Sequence, residues 1–326
     1  MLQFTYDYCD HYDYLFLLAN YLQVPVQGNM FWLPPAVGNG YIKAEKLANG
    51  LQVLINECTL AQDCLFKRNR AAGNHFTLRF DELRNIKQLS VKHGEELIED
   101  NTSIYSGAFL SNPVEQLEYL VNAGSEDRCV NIYFTKEWFS QQFGVAQNDA
   151  IWNRLLPTDR PALQFEVLSI EYRELMEEIF ELKREQPLYL AAMQNRLMLL
   201  LEKFLRTAYA KQVNPSQFPN VAENDLKKMI QVEAILANTI GEAPPPIPVL
   251  ARIATMSETK LKNLFKKIYG HSLYEYYQKN RMLKAKQLIA AKKYSVKEVG
   301  SRLGFKNLSN FTIAYKKQFN KLPSEV

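Results

Sequence analysis

Histidine and cysteine are scarce in this chain, four of each among 326 residues, and their placement removes several chemistries. His11, His75 and His93 stand far apart with no His-x-His pair, so the clustered imidazoles of a metal-dependent barrel enzyme are missing. Cys9, Cys58, Cys64 and Cys129 form no Cys-x-x-Cys pair and no mixed Cys/His spacing. That pattern speaks for free thiols in a reducing compartment. No Gly-x-Ser-x-Gly, phosphate-binding loop or Gly-x-Gly-x-x-Gly occurs. The start bears Asp7, Asp10 and Asp13 in place of a basic segment ahead of an apolar run. The apolar stretch 15–26 is short and broken by Asn20, Gln23 and Pro25, too little to span a bilayer. The expectation is a cytoplasmic protein with no catalytic residues, no metal and no cofactor.

What is present is divided. Residues 221–326 carry 19 Lys and Arg against 8 Asp and Glu, whereas the whole chain has 39 against 35. A basic third is therefore joined to an acidic two-thirds, the balance of a polyanion-binding module attached to something else. Apolar content of 47% supports real cores.

Short alternating or apolar runs at 30–33, 40–46, 51–58, 75–80, 86–93, 104–110, 116–121 and 128–135 predict strands, punctuated by Gly, Asn, Pro and Asp. Their spacing favours an antiparallel β-sandwich or small barrel. From about 135 the period lengthens. Helices are expected at 136–143, 165–184 and 187–211, with Pro187 in a first helical turn. The last repeats Leu190, Met193, Leu197, Leu200, Leu201, Phe204 and Leu205 at helical spacing, with Leu188 and Leu199 in addition. It is either covered on two sides in its own domain or part of an interface, so a homodimer through helices at about 165–211 is expected. A linker at 214–219 then leads to a helix at 227–237. The fold class is α+β: a domain over 1–215, β-rich to 135 and helical over 136–213, followed by an all-α domain over 216–326.

Two helix-turn-helix patterns fill that second domain, at about 247–269 and 295–319. In the first, Ser257 stands at an N-cap with Glu258 behind it. Leu261, Leu264, Phe265 and Ile268 form an apolar stripe, opposite Thr259, Lys262, Asn263 and Lys266. In the second, Val296, Val299 and Leu303 are apolar, Gly300 permits close approach, and Gly304 suits a turn with positive φ. Phe305 is expected to plug the core beneath that turn. The next helix buries Phe311, Ala314 and Tyr315 and exposes Leu308, Ser309, Thr312 and Ile313, flanked by Lys306, Lys316 and Lys317. Between the units, 271–289 reads as one long helix holding both at a fixed separation. Polar side chains early on such helices reach base edges, and lysines further along reach phosphates. The second reading face is unusually apolar, which suits thymine methyl groups.

From about 230 to 324 the chain resembles the DNA-binding domain of the AraC/XylS transcriptional regulators. The likeness rests on Leu250-Ala251, Ser257, Leu261, Leu264-Phe265-Lys266, Gly270, Tyr276-Tyr277, Arg281, Ala285, Leu288-Ile289, Gly304-Phe305, Ser309, Phe311, Phe319 and Pro323-Ser324-Glu325. Asn320 stands where that family usually has Gly, and Gly300 where Ala is common. By position, the resemblance implies base contacts from Thr259, Lys262 and Asn263, and from Leu308, Ser309, Thr312 and Ile313, with Asn310 nearer the backbone. It also implies a cupin-like effector and dimerisation domain at the amino terminus. The expected partners are double-stranded promoter DNA, a small-molecule effector, a second copy of the chain and RNA polymerase, with no membrane. Two other readings compete for the first domain: a pure dimerisation or interaction scaffold, its interior filled by aromatics, and a cupin-type enzyme.

Overall fold

The computed structural model describes the chain except residues 8, 85–88, 94–95, 101–105, 115, 147, 218–220, 240 and 326. Parts of the strands expected at 86–93 and 104–110, and of the linker at 214–219, lie outside the described residues. The chain divides into two compact units, one of Met1–Leu168 with Arg184–Phe218, the other of Ser169–Lys183 with Pro219–Val326. Among the described residues, no helix is long and apolar enough to cross a membrane.

The first unit is built on two sheets. One has the order β1-β5-β10-β7-β8, from Leu2–Tyr6, Cys64–Arg68, Leu117–Val121, Leu89–His93 and Glu96–Asp100. The other runs β12-β9-β6-β11-β4-β3-β2, from Leu163–Val167, Gly107–Ser111, His75–Arg84, Glu126–Thr135, Gln52–Leu60, Gly38–Lys46 and Met30–Trp32. Among the described residues these strands pair antiparallel, except β1 with β5, which run parallel. Period two gives the larger sheet two different faces. Val53, Ile55, Phe76, Leu78, Phe80, Ala108, Leu110, Val130, Ile132 and Phe134 are almost wholly buried on one. That face continues into helices: Phe134 packs on Trp138 and Phe139 of α2 (Lys136–Phe143), and Phe139 on Trp152 of α3 (Ala150–Leu155). Trp152 in turn stacks on Tyr209 of α5 (Tyr189–Val213). The other face packs on α1 (His11–Tyr21) and on the smaller sheet.

Three expectations need correction. Residues 165–167, expected to open a helix, belong instead to a strand over 163–167: Leu163, Phe165 and Val167 alternate with Gln164 and Glu166, and this period-two pattern pairs with β9. Pro187 lies outside its helix, because Leu188 takes a left-handed conformation (φ 59°) at the N-cap of α5. Leu190 is exposed although it falls in the apolar stripe of α5. Leu190 and Leu199 are nine residues apart, about half a turn round the helix, so they form no single apolar face. Met193, Leu197, Leu200, Leu201, Phe204 and Leu205 are covered within the unit.

The second unit is all helical. It contains α4 (Ile170–Glu181), α6 (Glu223–Asn238), α7 (Ile247–Ile253), α8 (Glu258–Tyr269), α9 (Leu273–Ala290), α10 (Val296–Arg302) and α11 (Leu308–Phe319). The sequence reading assigned 165–184 to the first domain, whereas α4 packs within the second unit. Its Arg173 is buried and meets Glu233 of α6 at 2.8 Å, and Tyr276 of α9 donates to the same carboxylate at 2.7 Å. Further along α4, Glu177 and Glu181 meet Gln287 and Lys286 of α9.

Candidate nucleic-acid interface

The first helix-turn-helix is α7 with α8. Ser257 caps α8, its hydroxyl accepting from the Lys260 amide, and Gly270 ends the helix in a left-handed conformation. Leu261 and Phe265 are buried, Leu264 and Ile268 half-buried, and Tyr269 joins them, packed on Phe265 and Tyr276. This leaves Thr259, Lys262, Asn263 and Lys266, all exposed, at the i, i+3, i+4, i+7 spacing of one helical face. Lys262 is drawn along the surface towards Glu258, 3.7 Å away. An exposed pair of this kind is worth little, so it leaves Lys262 available to a ligand of higher charge density.

The second unit is α10 with α11. Ser295 and Glu298 form a reciprocal capping box at the start of α10, and Asn307 caps α11 by accepting from the Ser309 amide. Gly300 approaches the Phe311 ring so closely that an added Cβ would lie 3.2 Å from it. Gly304 has φ 75°, and a Cβ there would meet the Gly241 carbonyl at 2.6 Å. Phe311 and Tyr315 are buried with Met282, Ala285, Ile289, Val299 and Leu303. Phe305 is half-buried and packs at a tilt against Phe311. Leu308, Ser309, Asn310, Ile313 and Lys316 are exposed, Thr312 is half-buried, and Lys306 stands exposed just ahead of the helix. Ile313 keeps 66% of its surface exposed and Leu308 45%, so this helix presents two apolar side chains beside its polar ones.

α9 joins the heads. Its 18 residues give a rod of roughly 27 Å, comparable with the ~34 Å between successive major-groove faces. Leu273, Tyr276 and Tyr277 are buried near one end, Met282, Ala285 and Ile289 near the other. Arg281 was legible only as part of a family pattern, and its task is now visible. Its guanidinium lies over the Phe305 ring at 3.7 Å and donates to the Leu303 carbonyl at 2.6 Å. It therefore fixes the turn of the second head from the connecting helix. Other contacts were silent in the sequence, such as Lys260 paired with Asp225 at 2.8 Å.

The turns of the two heads differ in one respect that stability can report. Gly304 occupies the left-handed position in the second, but Thr255 does so in the first, at φ 50°. A β-branched residue there is strained by about 1–2 kcal/mol, while glycine loses ~0.5–1 kcal/mol in chain entropy. Thr255→Gly should therefore raise stability slightly, by about 0.5 kcal/mol. Chemical denaturation reads this, and a fall would mean that the 2.6 Å bond from Lys228 to the Thr255 hydroxyl outweighs the strain.

Comparison with known proteins agrees with this geometry. Residues 250–326 match the family model of a helix-turn-helix domain. The probable transcription factor PqrA of Proteus vulgaris is 32% identical over 79 residues, which are 24% of this chain and 65% of that protein. The chain thus spans a little under two thirds of that relative. An AraC-type transcriptional regulator from Chromobacterium violaceum is 26% identical, covering 32% of this chain and 92% of its own, with a TM-score of 0.30. Wild-type ToxT of Vibrio cholerae, solved with an unsaturated fatty acid bound, is 15% identical over 84% of this chain and 94% of its own, at a TM-score of 0.33. With its doubled motif, its capped second helices and the family match, the stretch 250–326 is a helix-turn-helix domain.

Proposed function

We propose that this DNA-binding regulator reads two neighbouring major-groove segments of a promoter with α8 and α11, and that a small molecule held in its first unit sets promoter occupancy. The reading faces are Thr259, Lys262, Asn263 and Lys266 on one head. On the other they are Leu308, Ser309, Thr312 and Ile313, with Lys306, Asn310 and Lys316 toward the backbone. The observation that carries the reading is the pair of exposed helix faces, each set by its own cap and both anchored on α9. Two heads on one rod suit a single duplex face better than two unrelated sites. A second copy of the chain and RNA polymerase complete the reading at a promoter.

Selection of bound duplexes by the full chain, with and without a metabolite mixture, tests it. A motif with two half-elements about one helical turn apart should be enriched. Its affinity should fall steeply with salt as phosphate neutralisation releases counterions. An unenriched pool, or binding indifferent to salt, would overturn the assignment; an enriched motif whose occupancy ignores every metabolite would remove only the effector.

A further inference from the structure

The loop that leads into the first head rests on the turn of the second. Gly241, ahead of α7, has φ 110°, and a Cβ there would lie 2.6 Å from the Arg302 carbonyl oxygen at the end of α10. Its own carbonyl faces Gly304, where an added Cβ would meet it at the same 2.6 Å. Backbone lies on backbone here, a contact that glycine on both sides makes possible. α9 holds both members of the joint. The Tyr277 hydroxyl donates to the Glu242 carbonyl, and the Arg281 guanidinium donates to the Leu303 carbonyl.

From this joint the chain runs stiffly to the first head. Ala243, Pro244 and Pro245 each precede a proline, which disfavours helical backbone at those positions. Pro246 has φ −56° and ψ 146°, close to the angles of a polyproline helix. A run of that kind is a semi-rigid spacer rising ~3.1 Å per residue. Pro246 is also the N-cap of α7, so the run ends directly on the first helix of the first head. A helix start favours proline within its first turn, as Pro248 is. Pro244 and Pro245 lie outside α7 and have no part in starting it.

We infer that residues 241–246 form a second strut between the heads, in addition to α9, and that this strut narrows the spacing of DNA half-elements the protein accepts. One helix alone lets a head swivel and bend about its last turn; a second connection at a separate point removes that freedom. The consequence for spacing rests on the proposed two-headed reading, whereas the strut itself does not.

Pro244→Gly with Pro245→Gly softens the strut and leaves the Gly241 contact and the start of α7 untouched. On the selected duplex, one base pair inserted between the half-elements turns them by roughly 35° relative to one another. The parent chain should lose about ten-fold in affinity, comparable with one mismatched base pair, and the softened variant under about three-fold. Gly241→Ala, which forces the joint open, should relax the penalty in the same direction. A variant that merely weakened the fold would lose affinity equally at both spacings. That result, or a parent chain indifferent to the insertion, would overturn the inference. Pulsed electron-spin measurement of the distance between labels at Lys267→Cys and Lys317→Cys, both exposed positions, needs no DNA. Cys9→Ser removes the half-buried native thiol, and the other three cysteines are buried. The distance distribution should broaden in the softened variant, and an unchanged width would remove the strut. Broadening without a two-part motif among the selected duplexes would leave the strut standing and sink the two-headed reading.

Discussion

Arg173→Ala will destabilise the DNA-binding unit more than any other single truncation on the surface of α4, by about 3–5 kcal/mol. The reason is what it leaves behind. Glu233 is 3% exposed and its carboxylate is held by the Arg173 guanidinium and the Tyr276 hydroxyl. Without the guanidinium, a buried carboxylate keeps one neutral donor, which does not replace the lost charge. The pair itself adds little net stability, because both partners had to be desolvated. Accordingly Arg173→Met combined with Glu233→Leu should recover most of the loss, and that recovery distinguishes an unpaired charge from lost packing. Urea denaturation of the full chain, followed by the helical signal, measures both. A single variant within ~1 kcal/mol of the parent would mean that α4 is only loosely seated on α6 and α9.

That pair also marks where the sequence stops being legible. The helices α7 to α11 could be read directly from apolar stripes at the helical period, with Ser257 legible as a cap; the Ser295 cap and the left-handed end at Gly270 come from the structure. α4 could be read as a helix but not placed. Arg173 and Glu233 look like solvated charges in sequence, and their mutual burial, with the contacts of Glu177 and Glu181 to α9, ties the helix to the second unit. β12 was hidden for a different reason: a five-residue strand beside a long helix offers too few alternations to be told from its neighbour. α1 escaped because its first turn, His11-Tyr-Asp-Tyr, mixes polar and aromatic residues, and Asp10 discloses itself as a cap only through its bonds to the Tyr12 and Asp13 amides. The polar sheet face is the deepest case. Thr77, Arg79 and Asp81 alternate with apolar residues as a solvent-facing strand would, and nothing local says that a second sheet lies over them.

The candidate reading residues were nameable because exposure on a capped helix follows from periodicity; their weight in binding requires substitution. Lys262→Ala with Asn263→Ala should weaken binding to the selected duplex by about 2–4 kcal/mol, each contact being worth ~1–3. Both side chains are exposed, and the pair of Lys262 with Glu258 contributes little, so the fold should be unchanged and the loss specific to DNA. Ile313→Ala on the other head removes three carbons of apolar contact, which at a surface only partly covered by DNA should cost about 1 kcal/mol, against ~0.8 for each carbon fully buried. The salt dependence then assigns each role. If Lys262 meets phosphate, the slope of log affinity against log salt falls by about 0.9; if it meets a base edge, discrimination at one position relaxes and the slope holds. Asymmetry between the heads is the decisive result, because the proposed reading places hydrogen-bonded readout on α8, whereas α11 exposes Leu308 and Ile313. Fluorescence anisotropy across a salt series measures all three variants, and an Ile313→Ala loss equal to that of the α8 double variant would refute the division of labour between the heads.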